Sequence, residues 1–170
     1  MSQATKFYTW YHHSPVGRLL LAGTRDHLTH LLFADADDAV LPDPGWQEND
    51  VPFREAVRQL TAYFQSELQE FRLPLAAHGT DFQKSVWNEL CKVPYGETAS
   101  YGDIARAIGR PTASRAVGMA NGRNPIAIII PCHRIIGAGG NLVGYGGGLN
   151  RKTRLLQLEG AAIPSTTSSG

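Results

Sequence analysis

Residues 101–121 read YGDIARAIGRPTASRAVGMAN, and the way this stretch divides decides the fold around it. Its apolar spacing predicts a short helix from Tyr101 to Ile108. Gly109-Arg110-Pro111 then breaks the chain, and Thr112 is placed to cap a second helix running to about Asn121. Helix, tight turn, helix is the pattern of a DNA-binding motif, although any two short packed helices share it. The second helix is unusual. It is built of small side chains, Ala113, Ser114, Ala116 and Gly118, with Arg115 standing out among them. Small residues let another surface approach closely, and the Asn, Gln and Arg set that reads base edges in a conventional recognition helix is missing.

Upstream, Phe82, Val86 and Leu90 form one stripe of a helix opened by Asp81, which ends before Pro94-Tyr95-Gly96. Leu73 to Gly79, with its proline and glycine, reads as a linker to a preceding domain. In that domain Phe53, Val57, Leu60, Phe64, Leu68 and Phe71 recur at three- and four-residue steps, predicting an amphipathic helix, and Pro52 suits its first turn. Further back, Phe7–Tyr11 and Arg18–Ala22 flank the turn residues Ser14-Pro15-Val16-Gly17, which predicts a hairpin, and His27–Phe33 reads as a third strand. Asp, Pro and Gly dominate from Ala34 to Pro52 and mark a loop. The fold class is therefore α+β: residues 1–78 form a small N-terminal antiparallel sheet plus helix, and residues 79–164 a mainly helical domain containing the helix-turn-helix. Residues 165–170 are a small polar tail, read as disordered.

Of the 170 residues, 42% are hydrophobic and 18% charged, enough apolar matter for a packed core. No stretch reaches the ~20 apolar residues of a membrane span, and the polar N-terminus lacks the regions of a signal peptide, so a cytoplasmic protein with no membrane partner is expected. Cys91 and Cys132 then read as free thiols. With six scattered histidines they show no zinc-site spacing, so no metal is expected. Cys91 follows Trp87 by one helical turn and reads as core packing. The net charge of +1 hides an asymmetry: residues 1–79 carry six Lys/Arg against ten Asp/Glu, and residues 80–160 carry ten against five. A basic second half suits a polyanionic partner, and equally an ordinary solvated face.

Ile126-Ala127-Ile128-Ile129-Ile130 is a continuous apolar run that reads as buried on all sides, and Pro131 ends it just before Cys132. A thiol is a useful nucleophile as its thiolate, which cationic and imidazole neighbours favour; His133 and Arg134 follow at once. In an extended segment, however, neighbours point to opposite faces, so an inert buried cysteine stands beside the reactive one. Seven of the twelve residues from Gly137 to Gly148 are glycine, which suits a backbone that bends sharply or approaches a ligand. A flexible surface loop is the plain alternative, and a phosphate loop would need the Gly-Lys-Ser/Thr ending that is absent. Glu159 closes a helix begun near Asn150, where the helix dipole disfavours a carboxylate by roughly 0.3–1 kcal/mol unless a partner offsets it.

Together, Tyr101, Arg115-Ala116-Val117-Gly118, Asn124-Pro125, Pro131-Cys132-His133-Arg134, Gly144-Tyr145, Gly147-Gly148 and Glu159 resemble the O6-alkylguanine-DNA alkyltransferases, densely over about residues 80–160 and more loosely before. The resemblance implies a DNA repair protein that transfers an alkyl group from O6-alkylguanine in duplex DNA, after base flipping, irreversibly to its own Cys132, once per molecule and without a cofactor. His133 would take the thiol proton through a water and Glu159 would orient the imidazole, the logic of a catalytic triad applied to a thiol. Tyr101 would donate at the N3 edge of the base and Asn124 would brace the turn before the cysteine. Ile135, Tyr145, Gly146 and Gly147 would line the base pocket. The helix bearing Ala113, Ser114, Ala116 and Gly118 would lie in the minor groove with Arg123 near its end, while Arg115 fills the gap left by the flipped base. A monomer in solution that clusters on DNA is the expected state.

The chain departs from the better-known animal members. An apolar or basic residue expected near Asn121 and Gly122 is absent, Gly146 replaces a serine, and no N-terminal cysteine is available for zinc, so the pattern is closer to bacterial members. Two other readings compete. A Cys-His hydrolase built on Cys132, His133 and Glu159 would regenerate its thiol, and a DNA-binding regulator built on residues 101–121 would leave Cys132 incidental.

Overall fold

The computed structural model describes residues 4–35, 40–137 and 148–162. Its contacts group the chain into two units: residues up to His78 together with Pro125–Ala127, and Gly79–Asn124 together with the residues from Ile128 onward. The fold is α+β, with a small N-terminal sheet and helix and a mainly helical second part.

In the first unit β1 (Phe7–Tyr11), β2 (Leu19–Gly23) and β3 (Leu28–Phe33) form an antiparallel meander. The hairpin register runs from Phe7 opposite Gly23 to Tyr11 opposite Leu19. Every residue of β2 is buried, as expected of a central strand covered on both faces. A two-residue strand, β4 (Gln47–Glu48), adds parallel to β1 within the segment read as loop, giving the order β3-β2-β1-β4.

Gly17 closes the hairpin turn at φ +94°, and a Cβ there would collide with the Asp35 carboxylate, which accepts from the Arg18 amide at 2.8 Å. Gly17→Ala is therefore expected to lower stability by about 1–3 kcal/mol, read as a shifted denaturant midpoint at unchanged slope.

The first long helix, α1 (Arg54–Phe64), follows a 3-10 turn at Val51–Phe53 that has Pro52 in its first turn. It is shorter than the apolar spacing predicts. The backbone turns at Ser66, φ +62°, so Leu68 and Phe71 lie beyond the helix, and the buried face is Ala56, Gln59, Leu60 and Tyr63. Gln59 explains the difference. Its side chain donates to the Arg72 carbonyl at 3.1 Å and accepts from the Arg72 amide at 2.9 Å, which folds the following segment back over the helix. The chain then forms bridges from Leu28 to Leu75 and from Leu31 to Ile126 within this unit, so residues 73–78 pack as part of it.

In the second unit α2 (Asp81–Leu90) starts at a complete capping box between Thr80 and Gln83. A short strand β5 (Ala99–Ser100) leads into α3 (Tyr101–Ala107), itself capped by Ser100 and Asp103, and α4 (Ser114–Gly122) follows. Thr112 does not cap α4. The N-cap is Ala113, without a side-chain hydrogen bond, because the helix begins two residues after Thr112. Cys91 is likewise exposed, not core: α2 ends at Leu90, and Cys91 is its C-cap. Residues Ile126–Ile130 are all buried, but they form turns and no strand. Ile128 holds φ +70°, a costly conformation for a β-branched residue, which its burial keeps in place. After Cys132, β6 (Ile135–Ile136) pairs parallel with β5, and α5 (Leu149–Leu158) closes the described chain. Tyr145, Gly146, Gly147 and the tail at 165–170 lie outside the described residues.

Candidate active site

Three short-range devices set the acceptor segment. Asn124, just after α4, donates from Nδ2 to the Ile130 carbonyl at 2.8 Å and so ties the two ends of the buried turn together. Pro131 precedes a single 3-10 turn over Cys132, His133 and Arg134. In such a turn, with about three residues per revolution, successive side chains fan out instead of alternating across a strand. Cys132 is 6% exposed and His133 wholly buried.

The third device is the end of α5. Gly160, at φ +70°, accepts the left-handed conformation that ends a helix, with the Ala161 amide donating to Leu156 and the Gly160 amide to Gln157. This Schellman closure places Glu159 as C-cap with its carboxylate buried. Gly96, at φ +81°, approaches so closely that a Cβ there would lie 3.2 Å from the Glu159 carbonyl.

Glu159 is the hub. Its Oε2 lies 2.8 Å from His133 Nε2, while Arg134 donates from Nε to Oε1 at 2.8 Å and from Nη2 to Oε2 at 3.0 Å. Arg134 also donates from Nη1 to the Val93 carbonyl at 2.7 Å. The bidentate guanidinium is thus the cationic partner that a carboxylate at a helix C-terminus requires. Burial lowers the His133 pKa from 6.5, with the Glu159 hydrogen bond opposing and the Arg134 and Lys152 charges assisting, so the imidazole is neutral near pH 7. Its Nδ1 is buried and has no hydrogen-bond partner among the described residues.

Two further groups feel the charge of Cys132. Tyr101, at the start of α3 with its ring packed beside Gly118 of α4, has its hydroxyl pKa raised first by burial and then by Cys132. Lys152 is fully buried, and desolvation pulls its ammonium down to about 8, the Cys132 charge opposing. Residue type alone misses Lys152, although the sequence carries a signal: it shares the i, i+3, i+4, i+7 face of α5 with Leu155, Leu156 and Glu159, a lysine inside an apolar stripe. Arg134, next to the thiol in sequence only by way of His133, holds the Glu159 carboxylate.

On α4 the structure separates two faces. Val117, Ala120 and Asn121 are buried; Arg115, Ala116, Met119 and Gly122 are exposed, as is Arg123 just beyond, while Ala113, Ser114 and Gly118 are half-buried. Trp87 holds the buried side through a hydrogen bond from Nε1 to the Ala120 carbonyl at 2.9 Å. Ile135 is completely buried and pairs with Ala99.

The family model described as "6-O-methylguanine DNA methyltransferase, DNA binding domain" matches residues 81–161, and "6-O-methylguanine DNA methyltransferase, ribonuclease-like domain" matches residues 6–77. The chain belongs to the 6-O-methylguanine DNA methyltransferase family. Among family relatives, the methylated-DNA–protein-cysteine methyltransferase of Methanosarcina acetivorans is 56% identical over 148 residues, covering 87% of this chain and 95% of the relative. That of Mycobacterium leprae is 56% identical over 147 residues, covering 86% and 88%. The crystal structure of Mycobacterium tuberculosis OGT in complex with DNA matches with a TM-score of 0.84 at 52% identity, over 94% of this chain and 96% of that one.

Proposed function

We infer that this protein repairs alkylated DNA by transferring an alkyl group from the O6 of guanine to Cys132, each molecule acting once. The observation that supports this most is the buried line from Arg134 through Glu159 to His133, beside a cysteine, in a member of this family. Neutral His133 takes the thiol proton at Nδ1 through a water, and Glu159 holds the ring by Nε2. The thiolate displaces guanine from the alkyl carbon: a C–S bond forms as the C–O6 bond breaks, and the electron pair stays on the base. Tyr101 donates to the departing base at N3, where negative charge develops. In this reading Tyr145, Gly146 and Gly147 contact the base, and Ile135, which has no exposed surface, supports the pocket from the core.

α4 lies in the minor groove, where exposed Ala116 and half-buried Ser114 and Gly118, with Ala113 at the N-cap, are small enough to permit close approach. Arg115 occupies the space of the flipped base, and Arg123 contacts the backbone, so affinity falls with added salt. The protein acts as a monomer that clusters on DNA, in the cytoplasm and on the nucleoid. Among the described residues no helix is long and apolar enough to cross a membrane.

Stoichiometry tests the reading. With excess O6-methylguanine duplex, methyl removal should stop at one group per protein molecule; continued turnover would favour a hydrolase instead.

Lys152 gives a second test, because an ammonium whose charge acts on Cys132 favours the thiolate. The rate is expected to fall as pH rises through about 8, where Lys152 loses its proton. Lys152→Met should lose that limb and transfer about tenfold or more slowly at pH 7. The same substitution should raise stability. The folded pKa lies below the unfolded 10.5, so the buried charge costs stability below pH 8 and the cost fades towards 10.5. Thermal unfolding at pH 7 should show a gain of about 1–3 kcal/mol.

A further inference from the structure

One buried polar side chain has no part in the scheme above. Asn121 lies in the last turn of α4, 5% exposed, and its Nδ2 donates to the carbonyl of Cys132 at 3.4 Å. Its Oδ1 is buried without a hydrogen-bond partner among the described residues. A buried acceptor left unpaired costs stability that a leucine of similar size would not incur. Packing alone does not call for an amide here.

The surroundings show what the amide does. Residues around the end of α4 hold three successive parts of the second unit: Trp87 fixes Ala120, Asn124 fixes Ile130, and Asn121 reaches the residue that carries the thiol. The opposite face of the same helix presents Arg115, Ala116 and Met119, the last 62% exposed. At 3.4 Å the Asn121 bond is longer than the usual range of about 2.7–3.2 Å, and long hydrogen bonds in free enzymes often tighten in the reacting complex. This bond is the direct link between the end of α4 and the Cys132 backbone.

We propose that Asn121 is a positioning residue that couples the DNA-facing helix to the acceptor cysteine, so that docking of α4 sets the place of the thiol. This deepens the alkyl-transfer reading and rests on it. Because the side chain is buried on the face away from Arg115 and Met119, it acts without touching DNA.

The test is a split between two substrates. Alkyl transfer is timed on a duplex containing O6-benzylguanine, which engages α4, and on the free base O6-benzylguanine, which does not. Duplex affinity is measured alongside. Asn121→Leu removes both polar atoms, and Asn121→Asp removes the donor at nearly constant shape, so one variant remains if the other folds poorly. Transfer from the duplex should slow about tenfold, transfer from the free base by clearly less, and duplex affinity should move less than about twofold. Equal losses on both substrates would overturn the coupling, as would a parallel loss of duplex affinity or no change at all. If the wild-type protein formed no adduct with either substrate, the alkyl-transfer reading would fall and this inference with it.

Discussion

Glu159→Ala should destabilise the protein by about 3–5 kcal/mol, because it leaves the Arg134 guanidinium buried without its anion and frees the His133 ring at once. Against a typical total of about 5–15 kcal/mol, that is enough to unfold a large share of the molecules near the melting range. Denaturant unfolding at pH 7 measures it. Glu159→Gln keeps the volume and one acceptor, so it should fold better while still slowing alkyl transfer. Arg134→Ala makes the converse defect, an uncompensated buried carboxylate, and the double variant should cost less than the sum of the two, since the pair is a single unit.

His133→Ala should slow alkyl transfer by about 10²–10⁴-fold while duplex affinity stays close to that of the wild type. The wild-type rate should show an acid limb below pH 6.5, since burial has lowered the imidazole pKa and only the neutral ring accepts a proton. The limb should vanish in His133→Ala. Stability should follow the same sign. Below about 6.5 the unfolded chain binds the proton that the folded ring refuses, so the fold loses stability as pH falls through that range. A His133→Ala variant with full activity would remove the imidazole from the mechanism.

How far the sequence could be read varied with the physics involved. The hairpin followed from strand patterning around Ser14–Gly17, and α2 and α3 from local spacing, because neighbouring residues decide those elements. The true face of α1 did not follow. Gln59 is buried there through hydrogen bonds to Arg72, thirteen residues away, and a hydropathy pattern scores it as solvent-facing. Cys91 erred in the opposite sense, since helical spacing from Trp87 ignores that the helix has already ended.

At the site, Cys132 and His133 stood out by residue type, but the 3-10 turn that separates their side chains is set by Pro131 and the buried loop before it. Glu159 posed a visible puzzle, a carboxylate at the wrong end of a dipole. Arg134, its answer, lies 25 residues away in sequence. Lys152 was readable in principle and passed over, because lysine is so rarely buried. Asn121 was noticed only as a departure from a pattern, and its bond to the Cys132 carbonyl needed coordinates.

The measurement that bears most directly on the central claim is intact mass and peptide mapping after incubation with a duplex carrying one O6-methylguanine. The protein should gain a single methylene increment on the peptide containing Cys132, none on that containing exposed Cys91, and Cys132→Ser should gain nothing. An unmodified protein beside demethylated DNA, or the increment on Cys91, would contradict the assignment of Cys132 as the single-use acceptor.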